Sequence, residues 1–188
     1  RHLLALKRDQ DLAPRSLARH LSAIRRFHRF LREEGLSRNN PVEAFDSPRL
    51  GQPLPGVLTE ADIERLLAAP NTAEPEGIRD RALLELFYSC GLRISELVTL
   101  RLRDVHLEES AIRVVGKGSK TRLIPMGAQA IGHIQNWMAL RNAGPVHDDT
   151  LFLGKTGRRL GRTSAWAIVK RYARAANIRI NVTPHTLR

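Results

Sequence analysis

Cysteine is nearly missing from this sequence. Cys90 stands alone, so an intrachain disulfide framework is excluded, and a reducing compartment, the cytoplasm, is the expected location. Cys90 lies in the apolar run LLELFYSCG, where a buried, inert thiol is expected rather than a nucleophile. Aromatic residues are scarce at 5% of 188 residues, so the core must be built from Leu, Ile, Val and Ala. No apolar run approaches the ~18 residues that a membrane span requires, and no signal-peptide pattern opens the sequence as it stands. The first residue is not Met and falls inside a helix-like pattern, so a fragment at both ends is expected. Carboxylates are the most telling scarcity. Residues 110–188 contain only Asp148 and Asp149.

The net charge is +12, and its distribution is uneven. Residues 1–50 carry 11 basic and 6 acidic side chains, residues 51–109 carry 6 and 11, and residues 110–188 carry 14 and 2. A helical protein with incidental charge would intersperse its signs. This C-terminal excess reads as a surface for a polyanion, nucleic acid before membrane, because the cations are spread over strands, loops and helices rather than along one amphipathic helix.

Periodicity gives a mainly helical chain with one small antiparallel sheet, an α+β class. In LAPRSLARHLSAIRRFHRFLREEGL, Leu17, Leu21, Ile24, Phe27 or His28, and Leu31 form one stripe. Pro14 suits its first turn, and Gly35 can end it in the left-handed conformation. RHLLALKRDQ before it reads as the tail of an earlier helix, and NNPVEAF as a short helix capped by Asn40. DSPRLGQPLPG holds three prolines and two glycines and reads as a linker. The predicted division is therefore 1–46, a partial helical domain; 47–57, a linker; and 58–188, a second domain. In the second domain LTEADIERLLAAP reads as a helix capped by Thr59 with Asp62 near the capping-box position. EGIRDRALLELFYSCG reads as a helix ended by Gly91, and LRISELVTL as a short one. In SAIRVVGKGSKTRLIPM, Ile112 and Val114 alternate with Arg113, GKGS turns, and Leu123 and Ile124 begin the return, which is a β-hairpin. AQAIGHIQNWMALRN is helix, TLFL a short strand, GKTGRRLGR a basic loop, and TSAWAIVKRYARAAN helix. In VTPHTLR, Thr183 can cap a helix that starts at Pro184.

Three features carry potential chemistry. Arg93 follows a glycine break at the start of an apolar helix, where it either pairs with an acid such as Glu96 or is held to meet an anion. Lys117 sits between Gly116 and Gly118 at the hairpin tip. It does not belong to a Walker A loop, since Ala111 and Gly118 stand where that motif needs Gly and Ser or Thr, and a strand follows. His185 and Arg188 are one helical turn apart, a proton carrier beside a phosphate clamp. Each alone is equally compatible with an ordinary surface role.

GLRISEL, VVGKGSKTRLIP and TPHTLR, in that order and spacing, together resemble the tyrosine recombinases (the lambda-integrase family). SAIRRFHRFL, SPRLGQPLPGVLTEADIERLLAAP and LFYSCGLRISELVTL are similar to the bacterial Xer site-specific recombinases, so the resemblance spans nearly the whole chain. It implies a core-binding domain followed by a catalytic domain, acting on double-stranded DNA as a tetramer on two sites, with itself or a paired recombinase. It implies strand cleavage through a 3′-phosphotyrosine, needing no metal or other cofactor, in the service of chromosome dimer resolution. Arg93 and Arg188 match the arginines on the nonbridging oxygens, Lys117 the general acid, and His185 the base or positioning histidine. Glu96 then reads as a structural partner. Candidate DNA contacts are Arg25, Arg26 and Arg29 on the first long helix, Lys120 and Arg122 on the hairpin, and Arg158, Arg159 and Arg162 in the basic loop. The nucleophilic tyrosine of the family falls after the HxLR motif. The tyrosines here are Tyr88 and Tyr172, both expected to pack rather than react, so cleavage in cis is not expected of this chain alone. A phage, integron or transposon integrase, or a DNA-binding module without chemistry, would share many of these features.

Overall fold

The structure is a computed structural model that describes residues 12–38, 40–42, 45–46, 57–116, 120–144, 146–182 and 186–187. The chain divides into two compact units, Arg1–Pro55 and Gly56–Arg188.

In the first unit, α1 spans Pro14–Glu33. Its stripe faces inward as the 3.6-residue period requires. Leu21 is buried, and Leu17, Ile24, His28 and Leu31 are half-buried. The choice between neighbours falls on His28, four residues after Ile24, while Phe27 is 56% exposed. Gly35 takes φ +70°, and the Leu36 N–H donates to the Leu31 carbonyl at 2.9 Å, closing the helix as expected. The expected helix in NNPVEAF is a turn over the described residues, where Asn40 accepts from the Val42 N–H through its side chain at 3.3 Å. Asn competes with the helix here by offering the backbone a local partner. The expected helix tail at 1–10 and the linker up to residue 56 lie outside the described residues.

The second unit is built around α3, Pro75–Cys90. Its N-terminal neighbour α2, Glu60–Ala68, begins with a complete capping box. The Asp62 N–H donates to Thr59 and the Thr59 N–H to Asp62, both at 3.1 Å. Helix α3 is not amphipathic. Ala82 through Phe87 are all buried, so it runs through the core and is covered on every side. Gly91 ends it at φ +53°. The short α4, Ile94–Thr99, follows at once, and a 3-10 turn, Leu102–Asp104, leads into the sheet. Strand β1, Val105–His106, was not anticipated, because two residues carry no readable period. Strands β2, Ala111–Val115, and β3, Thr121–Pro125, form the expected hairpin with Ile112 opposite Ile124 and Val114 opposite Arg122. The sheet order is β1-β2-β3, antiparallel throughout.

Helix α5, Ala128–Arg141, packs on α3, and α6, Arg162–Ala175, closes the core. The expected strand TLFL is instead a buried irregular segment with single bridges at its ends, Thr150 to Arg101 and Leu153 to Arg159. Side chains replace a ladder there. Trp137 donates to the Leu151 carbonyl at 2.8 Å, Arg141 to the Thr150 carbonyl, and Arg79 to the Leu153 carbonyl at 3.1 Å. A buried backbone needs partners of some kind; three long side chains supply them for three carbonyls, while the Leu151 N–H donates to the Leu100 carbonyl and the Phe152 carbonyl accepts from the Leu160 N–H. The architecture is thus mostly helical with a three-stranded antiparallel sheet.

Candidate active site

Arg93 stands immediately before α4, as its N-cap residue. Its backbone N–H donates to Glu96 Oε2 at 2.8 Å, and its Nη1 donates to Glu96 Oε1 at 3.1 Å. Arg122 arrives from β3 and donates through Nη2 to the same Oε2 at 3.0 Å. Three donors therefore saturate one carboxylate. The Glu96 side chain is 6% exposed, that of Arg93 52% and that of Arg122 37%. Burial alone pushes the Glu96 carboxyl up. The bonds from the Arg93 backbone and from the Arg122 and Arg93 guanidiniums outweigh it and hold the group below the usual carboxylate range. The carboxylate stays ionised and keeps one face of Arg93 fixed, while about half of that side chain remains open to solvent. An arginine so held, charged and accessible, is pre-organised to meet an anion.

Lys117, His185 and Arg188 lie outside the described residues, as do Thr183 and Pro184. Their described neighbours are firmly seated. Gly116 donates its N–H to the Lys120 carbonyl at 2.8 Å, closing the hairpin stem. Val182 and Leu187 are buried in the same apolar core as Leu97 and Val98 of α4, so the chain on both sides of residue 185 is anchored to the core that carries Arg93.

Tyr172 does not offer a free hydroxyl. Tyr172 is buried, and its hydroxyl donates to Asp80 Oδ2 at 3.0 Å. Burial, followed by the Asp80 charge, pushes its pKa up. Asp80 is fully buried and also pairs with Arg79 at 2.8 Å and with Arg171. This network ties α3 to α6, and Tyr172 packs as expected. Tyr88 does not. It lies on α3 but is 43% exposed, because one face of the last turn, Tyr88 with Ser89, opens to solvent while Phe87 and Cys90 stay buried. Cys90 is buried as expected, and desolvation pushes its thiol up to about 11.

The candidate DNA contacts divide. Arg26 and Arg29 on α1 are exposed, whereas Arg25 is half-buried and donates to the Phe45 carbonyl. Lys120, Arg158, Arg159 and Arg162 are exposed. Arg122 is turned onto Glu96. The basic C-terminal stretch is also partly neutralised by the acidic middle stretch. Arg113 donates through Nε and Nη2 to the one Asp104 oxygen, Oδ1, at 3.0 and 2.8 Å, Lys155 meets Glu76 at 2.9 Å, and Arg171 meets Asp80. A basic–aromatic stripe on α6 went unread. Lys170 lies 4.4 Å from the Trp166 ring centroid, and the four-residue steps from Arg162 to Trp166 to Lys170 are its sequence signal.

Among the described residues, no helix is long and apolar enough to cross a membrane.

Comparison with known proteins adds the following. The profile of the phage integrase family matches residues 56–188, and that of the phage integrase N-terminal SAM-like domain matches residues 1–35. Tyrosine recombinase XerD of Pseudomonas aeruginosa is 44% identical over 98% of the chain, which covers 63% of that protein. A XerH site-specific recombinase bound to a palindromic difH substrate, in a post-cleavage complex, aligns at 27% identity and TM-score 0.64, over 73% of this chain and 41% of that one. A Tn1549 transposon integrase in complex with a circular intermediate DNA aligns at 18% identity and TM-score 0.79, over 98% of this chain and 67% of that one, a likeness of fold. The chain spans just under two thirds of the length of the curated relatives it matches. With the GLRISEL arginine at the head of α4 and the hairpin beside it, the chain belongs to the phage integrase family, the tyrosine recombinases, and is similar to their Xer members.

Proposed function

We propose that the full-length protein carrying this sequence is a Xer-type site-specific DNA recombinase. The observation that carries this reading is Arg93, charged, half-exposed and fixed by a buried carboxylate at the head of α4. On this reading a tyrosine oxygen, from neither Tyr88 nor Tyr172, attacks the scissile phosphorus. The bond from phosphorus to the 5′-oxygen breaks as the new bond to tyrosine forms. The tyrosine proton passes to a base, with His185 as the candidate, and Lys117 gives a proton to the departing 5′-oxygen. Arg93 and Arg188 hold the nonbridging oxygens, on which charge builds in the transition state. The 5′-hydroxyl of a partner strand then attacks the phosphotyrosine, so bond energy is conserved and no cofactor enters.

The first unit serves as the core-binding half of a clamp and the second as the catalytic half, joined through residues 47–57. Arg26 and Arg29 of the first unit, and Lys120, Arg158, Arg159 and Arg162 of the second, are the proposed backbone contacts. Recombination is carried out by a tetramer on two sites of chromosomal DNA in the cytoplasm, with dimer resolution as its purpose.

The test is a nicked suicide duplex, made from a site recovered by binding selection, incubated with the full-length protein and resolved under denaturing conditions. A covalent protein–DNA adduct is expected for the wild type. It should fall at least 100-fold for Arg93→Ala, Lys117→Ala and Arg188→Ala, while duplex affinity is retained. Adduct formation undiminished in Arg93→Ala and Lys117→Ala would remove both from the mechanism. Salt-sensitive binding with no adduct in the wild type would leave a DNA-binding module without chemistry.

A further inference from the structure

We propose that Arg122 is a positioning residue of the strand-transfer reaction, fixing Arg93 through Glu96, and not a DNA contact. The inference rests on the role of Arg93 given above.

Arg122 breaks the polarity of the inward face of β3. Residues of a strand alternate between faces, and on β3 Arg122 and Ile124 are half-buried while Thr121, Leu123 and Pro125 are exposed. Arg122 lies opposite the buried Val114, and Leu123 is 61% exposed. A slip of one residue would bring Leu123 inside but would turn Ile124, which packs against the core, out to water, so the register holds and Arg122 is the one inward position left to explain. The inward arginine is explained by what it meets. Its Nη2 donates to the buried Glu96 Oε2 at 3.0 Å, the oxygen that also accepts the Arg93 backbone N–H at 2.8 Å.

The other end of the guanidinium covers the top of the hairpin stem. A Cβ at Gly116 would sit 2.9 Å from Arg122 Nη1. That position is free of a side chain, and the guanidinium lies over the backbone there. One planar group therefore touches both the carboxylate that orients Arg93 and the stem residue that precedes Lys117 in sequence. A lysine could not serve both ends, because its ammonium is a single point of donation.

The geometry also separates this role from phosphate binding. An arginine whose donor is committed to a buried carboxylate acts on what that carboxylate holds, here Arg93. Loss of Arg122 leaves Glu96 bonded to Arg93 alone, and the pair loses its tie to β3. The step affected is charge stabilisation on the nonbridging oxygens.

The experiment uses the full-length protein with Arg122→Ala, Arg122→Lys and Arg93→Ala on two suicide duplexes. One has the ordinary scissile phosphodiester. The other has a methylphosphonate there, which removes the negative charge that Arg93 neutralises. Arg122→Ala and Arg122→Lys should cleave the ordinary duplex about 10- to 100-fold more slowly than the wild type, with unchanged duplex affinity and salt slope. On the methylphosphonate that ratio should fall to within about threefold, as it should for Arg93→Ala. A ratio undiminished on the methylphosphonate, with Arg93→Ala rescued, would overturn the inference while leaving the role of Arg93 intact. A loss of affinity with a salt slope smaller by about one unit would instead make Arg122 a phosphate contact and would also overturn it. Full cleavage of the ordinary duplex by Arg93→Ala would overturn the reading of Arg93 itself. If Arg122→Ala does not fold, Arg122→Met keeps the stem and drops the charge, and the same ratios apply.

Discussion

Replacing Glu96 with Gln isolates the charge that organises this site. The amide has nearly the same shape as the carboxylate, but one of its two ends donates. In the wild type, Oε1 accepts from Arg93 Nη1, and Oε2 accepts from the Arg93 N–H and from Arg122 Nη2. In Glu96→Gln, whichever end carries the NH2 group faces at least one N–H, so a bond becomes a repulsion. A hydrogen bond to a charged group contributes roughly 1.5–3 kcal/mol, and breaking a fully buried pair costs roughly 3–5 kcal/mol. The exposure of both arginines, 52% and 37%, screens much of that. A net loss of about 2 kcal/mol is expected, read as a fall of about 6 °C in Tm for a unit of this size. The pH dependence fixes the cause. Glu96 is held below its ordinary range, so its contribution is complete above the unfolded carboxylate value and is lost as pH falls through the folded one. The stability gap between wild type and Glu96→Gln, measured by urea unfolding, should therefore be widest at pH 7 and narrow as the pH falls below the ordinary carboxylate range. Cleavage of the suicide duplex should fall at least tenfold, with binding retained. An equal gap at pH 7 and pH 3.5, or cleavage within twofold of the wild type, would refute the reasoning.

Three further outcomes are expected. Tyr172→Phe should cost about 1 kcal/mol through the lost bond to Asp80 and leave covalent adduct formation intact, and loss of the adduct at full stability would make Tyr172 a reacting group. Gly77→Ala should destabilise by roughly 3 kcal/mol or more, because its Cβ would fall 1.8 Å from the Asn71 carbonyl oxygen; a thermal melt within 2 °C of the wild type would contradict that contact. Cys90, with its thiol pushed up to about 11 by burial, should resist a thiol reagent at pH 7.5 in the native protein and react fully in denaturant. Rapid native labelling would place it at the surface.

Helix α3 shows how far the sequence reads. Its end at Gly91 and its apolar content were legible, because the left-handed turn that glycine permits is a property of a single residue. Its burial on all sides was not legible. Arg79, Asp80 and Glu85 are all buried, because Arg79 and Asp80 meet partners from distant segments and Glu85 meets Arg81 one turn away. Residue 88 shows the reverse, an aromatic in an apolar run that the end of the helix carries into water. The hairpin followed from its alternation and glycines, while the two-residue β1 and the side-chain-bonded TLFL segment offered no period to read.

The same division runs through the candidate site. The sequence by itself determined which residues could do the chemistry, since GLRISEL places an arginine and a glutamate three apart at a helix start, and that spacing is local. It also determined the strongly basic C-terminal stretch. Only the tertiary structure decided which of those cations face outward. Arg122 meets Glu96 across 26 residues and Arg171 meets Asp80 across 91, and such pairings depend on how strands and helices pack. An arginine in a sequence is a charge available to any partner. Burial of the carboxylate it meets is what commits it to one, because an ionised group removed from water must find its counter-charge within hydrogen-bonding reach.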